Sequence, residues 1–114
     1  MSRDRIFLIT PGFEDSAVPG RTFFCPECNQ IEGVLASHPR LAGAIEVVRV
    51  PFARPRTEVI ALLGEANQSL PVLILCDDIP APPDARAHGA LRFVDDTRRI
   101  LDLIAERHGV PHPH

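Results

Sequence analysis

The sequence predicts one α/β domain with a four-stranded mixed sheet and helices on both faces. Two observations support this fold class. Short runs rich in apolar and β-branched residues have the length of buried strands, and longer segments repeat apolar residues at helical spacing. Strands are predicted at 5–9, 45–50, 71–76 and 91–94. Helices are predicted at 25–38, 57–66 and 97–108.

The first strand and first helix are predicted by their composition and by proline placement. Residues 5–9 form a compact apolar run, which is typical of a central strand covered on both faces. Pro26 suits the first position of a helix, where its missing N–H costs nothing. Ile31, Val34 and Leu35 then fall on one face of that helix. The segment therefore predicts a strand followed by an amphipathic helix.

The remaining elements complete the order βαβ, α, ββ, α. A right-handed crossover through the first helix makes the first two strands parallel. Pro71 opens the third strand, one of the few places where a strand tolerates proline. The third and fourth strands are expected to pair as an antiparallel hairpin. The last helix closes at Gly109, the residue type that most often ends a helix.

Two long connections interrupt this pattern. The loop at 10–24 contains two Pro-Gly pairs, and a loop of that length in a small domain is more often functional than idle. The stretch 77–89 contains three prolines and is also predicted to be a loop. Both connections join predicted strands to the elements that follow them.

The length and charge of the chain argue against several classes of function. The chain has 114 residues, which predicts a single domain over 1–114. Its formal net charge is −3 and no dense Lys/Arg run is present, so a nucleic-acid partner is not expected. The apolar run near the start is too short for a signal-peptide core or a membrane span. We therefore expect a cytoplasmic protein without a membrane partner.

The pair Cys25 and Cys28 is the main candidate for chemistry. A C-x-x-C pair in a cytosolic chain with a βαβ pattern indicates thiol redox chemistry or metal binding. The helix N-terminus favours a thiolate at Cys25, and Cys28 lies one turn further on, close enough to form a disulfide. Glu27 between them opposes that negative charge and favours a more reducing couple.

Two other interpretations of the pair stay open. The cysteines can be small apolar residues filling the start of the helix. They can also supply half of a tetrahedral zinc site, which would need Cys76 plus a histidine, or the histidines of the tail. No second C-x-x-C is present, so the sequence gives little support for zinc and no metal ligand is assigned.

Short motifs along nearly the whole chain resemble those of the thioredoxin superfamily. They are the Cys25-Pro26-Glu27-Cys28 pair, Leu70-Pro71-Val72 at the third strand, and residues 93–101 followed by 103–109. The likeness is closest to glutaredoxins and to the N-terminal domain of glutathione transferases. The chain also looks like a bacterial family of thioredoxin-like proteins with no established function.

The resemblance implies specific roles. It makes Cys25 the nucleophile and Cys28 the resolving cysteine. It makes Pro71 a cis-proline beside the site, with the Leu70 backbone pairing the cysteinyl part of a peptide or of glutathione. It also puts Asp96 and Thr97 where relatives hold the γ-glutamyl end of glutathione, although other members often have glutamate and serine there.

Two further departures qualify the likeness. The 10–24 loop is longer than in glutaredoxins. No helical second domain follows in this sequence, so we do not expect a complete glutathione transferase.

Several of these residues also have simpler structural interpretations. Asp96 and Thr97 are the expected N-terminal cap of the last helix. Cys76 ends a buried strand and is interpreted as a core residue. Arg54 and Arg56 are interpreted as surface ion pairs, although either could receive a carboxylate.

The sequence therefore predicts a thiol-disulfide oxidoreductase of glutaredoxin or thioredoxin type. Its expected partner is a disulfide-containing protein or glutathione, with glutathione as a possible co-substrate and no bound cofactor. The alternatives are a non-catalytic protein-interaction module of the same fold and a zinc-stabilised domain.

Overall fold

A computed structural model describes residues 2–114 and contains an α/β domain built on a mixed sheet. The strands are β1 (Asp4–Ile9), β2 (Phe13–Glu14), β3 (Thr22–Phe23), β4 (Ile45–Val50), β5 (Val72–Ile74), β6 (Arg86–His88) and β7 (Leu91–Val94). The helices are α1 (Pro26–Ser37), α2 (Leu41–Ala44), α3 (Thr57–Leu63) and α4 (Thr97–His108). All four predicted strands and all three predicted helices are present.

The main sheet has five strands, where the sequence predicted four. Its order is β4-β1-β5-β7-β6, with β1 and β4 parallel and the other pairs antiparallel. The extra strand β6 lies inside the predicted loop at 77–89. All three of its residues are exposed at the edge of the sheet, so no buried alternation marked it as a strand.

The long loop at 10–24 also contains structure that the sequence did not predict. Strands β2 and β3 form a small hairpin in which Phe13 pairs with Phe23. The ring of Phe13 stacks on that of Phe52, with centroids 4.3 Å apart and an interplanar angle of 4°. This contact attaches the hairpin to the segment that follows β4.

Helices cover both faces of the sheet, as predicted. One core cluster packs Ile31 of α1 and Ile104 of α4 against the sheet. A second cluster packs Val59 and Leu63 of α3 against the other face. The helix α3 ends at Leu63, three residues before the predicted end, because Gly64 takes a left-handed φ of 85°.

A buried ion cluster joins the first strand to the last helix. Asp4 is 0% exposed, and its carboxylate accepts hydrogen bonds from Arg107 and from the backbone N–H of Cys76. The Nε2 atom of His108 lies 2.8 Å from the same carboxylate. Burial alone would raise the pKa of Asp4, but these hydrogen bonds outweigh it and hold that pKa well below its usual range.

Across residues 2–114, none of the helices has both the length and the apolar character needed to cross a membrane.

Candidate functional site

The strand register brings the predicted site residues together at one edge of the sheet, namely the edge formed by the ends of the strands and not the one formed by the outer strand β6. The parallel strands β1 and β4 end side by side at Ile9 and Val50. Strand β5 runs the other way, and continuing its register with β1 places Leu70–Pro71 beside the end of β1. Strand β7 runs toward that edge, and its register continued past Val94 brings Asp96–Thr97 next to Pro71. The site therefore lies where β1, β4 and β7 end and β5 begins.

Cys28 anchors the first helix to this edge. Its side chain is 2% exposed, and its Sγ accepts a hydrogen bond from the backbone N–H of Ile9 at 3.4 Å. Burial is the largest cause that raises the pKa of the Cys28 thiol to about 12, and the neighbouring Cys25 and Glu27 add to it. Cys28 is therefore a protonated, enclosed thiol behind the start of the helix.

Cys25 occupies the N-cap of α1, as the sequence predicted for the head of this helix. Its backbone is extended, and its Sγ accepts the backbone N–H of Cys28 at 3.2 Å. Pro26 follows as the first helical residue. Because Cys25 is partly exposed and both cysteines are free thiols, the pair consists of one accessible and one buried sulfur.

Glu27 lies beside the accessible thiol. The Cys25 Sγ donates to Glu27 Oε2 across 3.7 Å. The accessible thiol is therefore within hydrogen-bond reach of a carboxylate.

An open cavity of about 310 Å³ adjoins the two cysteines. It is lined by Ile9, Pro11, Phe24, Cys25, Cys28, Asn29, Glu32 and Arg49. The loop at 10–24 contributes Pro11 and Phe24, and Phe24 is 57% exposed. The loop thus forms part of the wall of this cavity and leaves Cys25 accessible.

A charged pair forms another part of that wall and was not identified from the sequence. Arg49 donates to both carboxylate oxygens of Glu32, at 2.8 and 2.7 Å. The hydrogen bonds from Arg49 lower the pKa of Glu32, against the opposing effect of burial. The two charges offset each other, so the polar part of the cavity wall has no net charge from this pair.

The Leu70–Pro71 peptide bond is cis, which is the geometry that the family resemblance implied for Pro71. Pro71 is buried and Leu70 is partly buried. Leu70 packs against the same core cluster as Cys25 and Phe13. The register of β5 with β1 places this peptide beside the end of β1, where the N–H of Ile9 donates to Cys28.

Asp96 and Thr97 have the capping geometry that the sequence offered as their simpler interpretation. Asp96 is the N-cap of α4, where its Oδ2 accepts the backbone N–H of Arg99 at 2.9 Å, and Thr97 is the first helical residue. Asp96 lines a different cavity, of about 270 Å³, which shares no residue with the one beside Cys25. Their role in holding the γ-glutamyl end of glutathione remains a prediction.

Arg56 corrects the expectation of a surface ion pair. The residue is only 8% exposed, and its guanidinium donates to the backbone oxygens of Phe52 and Gln68. Arg54, by contrast, is exposed. This burial could not be predicted from the sequence, because arginine is seldom enclosed and these acceptors are backbone atoms.

Cys76 lies at the opposite edge of the sheet from the dithiol. It is 5% exposed, its N–H donates to Asp4 at the start of β1, and its Sγ lies 3.6 Å from Arg107 Nη2. It is a core residue, as expected. Within the part of the chain that the structure describes, no three or more His, Cys, Asp or Glu side chains are grouped as a metal site would require.

The fold and the site define an α/β protein with a dithiol at the N-terminus of its first helix. More specifically, the chain belongs to the family described as "Protein of unknown function (DUF3088)", which matches residues 3–112. No curated protein and no solved structure matches this chain.

Proposed function

We propose that this protein is a thiol-disulfide oxidoreductase of thioredoxin-like fold, with Cys25 as the nucleophile and Cys28 as the resolving cysteine. The observation that carries the proposal is the asymmetry of the pair. The partly exposed Cys25 sulfur accepts the Cys28 N–H at 3.2 Å, whereas the Cys28 thiol is enclosed. A dithiol enzyme needs one accessible thiol that attacks the substrate and a second thiol close to it that resolves the mixed disulfide.

The architecture supports the thioredoxin-like part of the proposal. The order βαβ, α, ββ, α, the mixed sheet and the helices on both faces all agree with that fold. The hairpin β2–β3 and the edge strand β6 are then additions to a common core.

The first step would be attack of the Cys25 thiolate on one sulfur of a substrate disulfide. A bond forms between Cys25 Sγ and that sulfur, the substrate S–S bond breaks, and the second substrate sulfur leaves as a thiolate that takes up a proton. The hydrogen bond from the Cys28 N–H and the helix N-terminus favour the attacking thiolate. The cavity beside Cys25 provides room for the disulfide.

The second step would release the bound half of the substrate. Cys28 loses its proton and attacks Cys25 Sγ, so that an internal disulfide forms and the substrate leaves as a thiol. Two electrons have then passed from the pair to the substrate. A thiol co-substrate such as glutathione, or a dithiol reductase, must return them to the pair.

The substrate-binding roles follow from the same proposal. The backbone of Leu70, next to cis-Pro71, would pair with the cysteinyl part of a peptide or glutathione. Asp96 and Thr97 would hold a γ-glutamyl group at the adjacent strand end. The continued register supports this assignment, because it brings both segments to the edge where Cys28 contacts Ile9.

A redox titration tests the proposal directly. The Cys76→Ser protein is equilibrated in dithiol/disulfide buffers, alkylated and read by mass, so that only the Cys25–Cys28 pair reports. We expect a reversible two-electron transition between about −300 and −120 mV, the range of dithiol oxidoreductases. Absence of any internal disulfide across that range would overturn the proposal.

A non-catalytic interaction module remains the second candidate, because the loop at 10–24 exposes two apolar side chains, one of which, Phe24, lines the cavity beside Cys25. Val18 is 45% and Phe24 57% exposed. That candidate predicts that a protein with both cysteines replaced by serine still functions in the cell, whereas the oxidoreductase predicts that this variant does not function. Comparing the unmodified protein with the double variant therefore distinguishes the two functions.

A further inference from the structure

An ion pair forms the polar wall of the cavity beside Cys25. Glu32 and Arg49 line this cavity together with both cysteines, and among residues 2–114 they are the only acidic and basic side chains in its wall. The remaining wall residues are Asn29 and the apolar Ile9, Pro11 and Phe24. The cavity therefore combines an accessible thiol, an apolar surface and one pair of opposite charges.

The fold brings both charges to the dithiol. Glu32 follows Cys28 by four residues in α1, so the two side chains lie on the same face of the helix. The register of β1 with β4 pairs Arg49 with Leu8. The next residue, Ile9, donates its N–H to Cys28. The ion pair thus joins the helix and the sheet edge that together hold the buried cysteine.

The pair keeps hydrogen-bonding capacity that the protein does not use. Arg49 donates from Nε and Nη2 to the two carboxylate oxygens of Glu32, at 2.8 and 2.7 Å. A guanidinium has five N–H donors, and within residues 2–114 both N–H groups of Arg49 Nη1 have no acceptor. Each oxygen of Glu32 can also accept a further hydrogen bond. The side chains of Arg49 and Glu32 are 47% and 24% exposed, so a ligand can reach both.

Both groups are charged at neutral pH. The hydrogen bonds between them are the largest cause that raises the pKa of Arg49 and lowers the pKa of Glu32. A ligand group with a single charge is attracted by one member of the pair and repelled by the other. A group with adjacent positive and negative charges can face both members favourably, and its contacts leave the ion pair intact.

We propose that the Glu32–Arg49 pair binds the zwitterionic amino-acid group of a disulfide substrate, with the ammonium at Glu32 and the carboxylate at Arg49. The substrate class is a small disulfide whose sulfur is attached, through one methylene group, to a free α-amino-acid group. The inference rests on the proposed function in taking Cys25 as the attacking thiol. This cavity shares no residue with the one that Asp96 lines, so the group bound here is distinct from the γ-glutamyl group assigned there.

The chemical step needs no further reactant. The Cys25 thiolate attacks the sulfur of the half that the ion pair holds. A bond forms between Cys25 Sγ and that sulfur, the substrate S–S bond breaks, and the other half leaves as a thiolate that takes up a proton. The charged pair therefore selects the substrate and takes no part in the transfer of electrons.

The experiment measures mixed-disulfide formation in the full chain carrying Cys28→Ser and Cys76→Ser, so that only Cys25 reacts. The probes at pH 7 are zwitterionic cystine, cationic cystamine, anionic dithiodipropionate and neutral hydroxyethyl disulfide, which share the same spacing between sulfur and polar group. Mass spectra of acid-quenched samples give the rate constant for each probe. Dividing by the rate constant of the neutral probe in the same variant removes any change in the reactivity of Cys25.

The two members of the pair should act with opposite sign on the singly charged probes. We expect Glu32→Gln to slow the reaction with cystamine and to speed that with dithiodipropionate, each by about two- to fivefold, as partly exposed charge pairs typically allow. Arg49→Gln should have the reverse effects. Each variant should slow the reaction with cystine by at least about twofold, because each removes one of its two contacts.

The exposed pair Arg98–Asp102 provides the matched controls, because it lies outside this cavity. Arg98→Gln and Asp102→Asn change the net charge in the same way and should alter each ratio by less than about 1.5-fold. Circular dichroism confirms that each variant is folded, and either site variant tests the inference by itself. Effects of the same sign on both singly charged probes would overturn it, and so would effects no larger than those of the controls or an unchanged rate with cystine.

The two proposals fail in different ways. A protein that selects disulfides through Glu32 and Arg49 but forms no internal disulfide in the redox titration loses the oxidoreductase function and keeps the binding site. A protein with a reversible internal disulfide whose Cys25 does not distinguish the probes loses only the binding site.

Discussion

The carboxylate of Asp4 accepts two hydrogen bonds from the guanidinium of Arg107, at 2.9 and 2.8 Å. This pair joins the first residue of the first strand to the last turn of the last helix. The Arg107 side chain is 4% exposed and that of Asp4 is 0% exposed, so water screens neither charge. The ends of the folded domain therefore depend on each other through a buried ion pair.

Asp4→Asn should destabilise the protein strongly. The substitution leaves the enclosed Arg107 cation without its counter-charge, which typically costs about 3–5 kcal/mol. Urea unfolding followed by circular dichroism measures the loss. Asp102→Asn is the control, because Asp102 pairs with exposed Arg98 at 3.8 Å and should cost less than about 0.5 kcal/mol. Equal effects of the two substitutions would contradict the structural role of Asp4.

The carboxylate of Asp4 also makes the free energy of unfolding depend on pH in the acidic range. The pKa of Asp4 is lower in the folded protein than in the unfolded chain, so the unfolded state binds the extra proton as pH falls. The stabilisation is complete at neutral pH and is lost progressively below about pH 5. Urea midpoints between pH 7 and pH 3 should fall more steeply in the unmodified protein than in Asp4→Asn. Parallel curves would show that other carboxylates control the acid transition.

The main strands and helices could be predicted because each contains an apolar run, or a repeat of apolar positions, that is long enough to be recognised. The helix at 97–108 was predicted with its observed bounds, since it combines an apolar face with a capping residue and a terminal glycine. Strand β6, the hairpin β2–β3 and the helix α2 have only two to four residues each. These segments are mostly exposed and lack the buried apolar run that marks the equally short β5, so tertiary pairing decides them.

Only part of the site could be predicted, and the reason differs from the one that applies to the short strands and helix. The cysteine pair and Pro71 are marked by short motifs, whereas the burial of Asp4 and Arg56 depends on partners that are distant in sequence or belong to the backbone. Asp4 stands among charged residues at the start of the chain, and its partner Arg107 lies in the last helix. No local pattern of either residue indicates that they meet.

Asp96→Ala separates the capping role of this residue from binding. Loss of the hydrogen bond to the Arg99 N–H should cost about 1 kcal/mol, and Asp96→Ser should recover most of it because serine also caps helices well. If the carboxylate also holds a γ-glutamyl group, both variants should raise the KM for glutathione similarly while differing in thermal stability. A KM that follows stability instead would leave Asp96 with capping alone.

Cys28 should make release of the substrate slow and strongly dependent on pH. Burial is the main cause of its pKa of about 12, and it persists when Cys25 is held in a mixed disulfide. Only a small fraction of Cys28 is then a thiolate at pH 7, and that fraction rises tenfold with each pH unit as long as the pH stays below the pKa. We therefore expect the mixed disulfide with glutathione to decay about tenfold faster per unit between pH 7 and pH 9.

Stopped samples analysed by mass give the lifetime of that mixed disulfide. Cys28→Ser should abolish its decay at every pH, whereas Cys76→Ser, at the opposite edge of the sheet, should leave the profile unchanged. A decay rate that is flat between pH 7 and pH 9 would mean that a neighbouring base removes the proton from Cys28 within the site. Glu27 is the carboxylate placed to do so, since it contacts Cys25 and acts electrostatically on Cys28, and Glu27→Gln would then slow the decay.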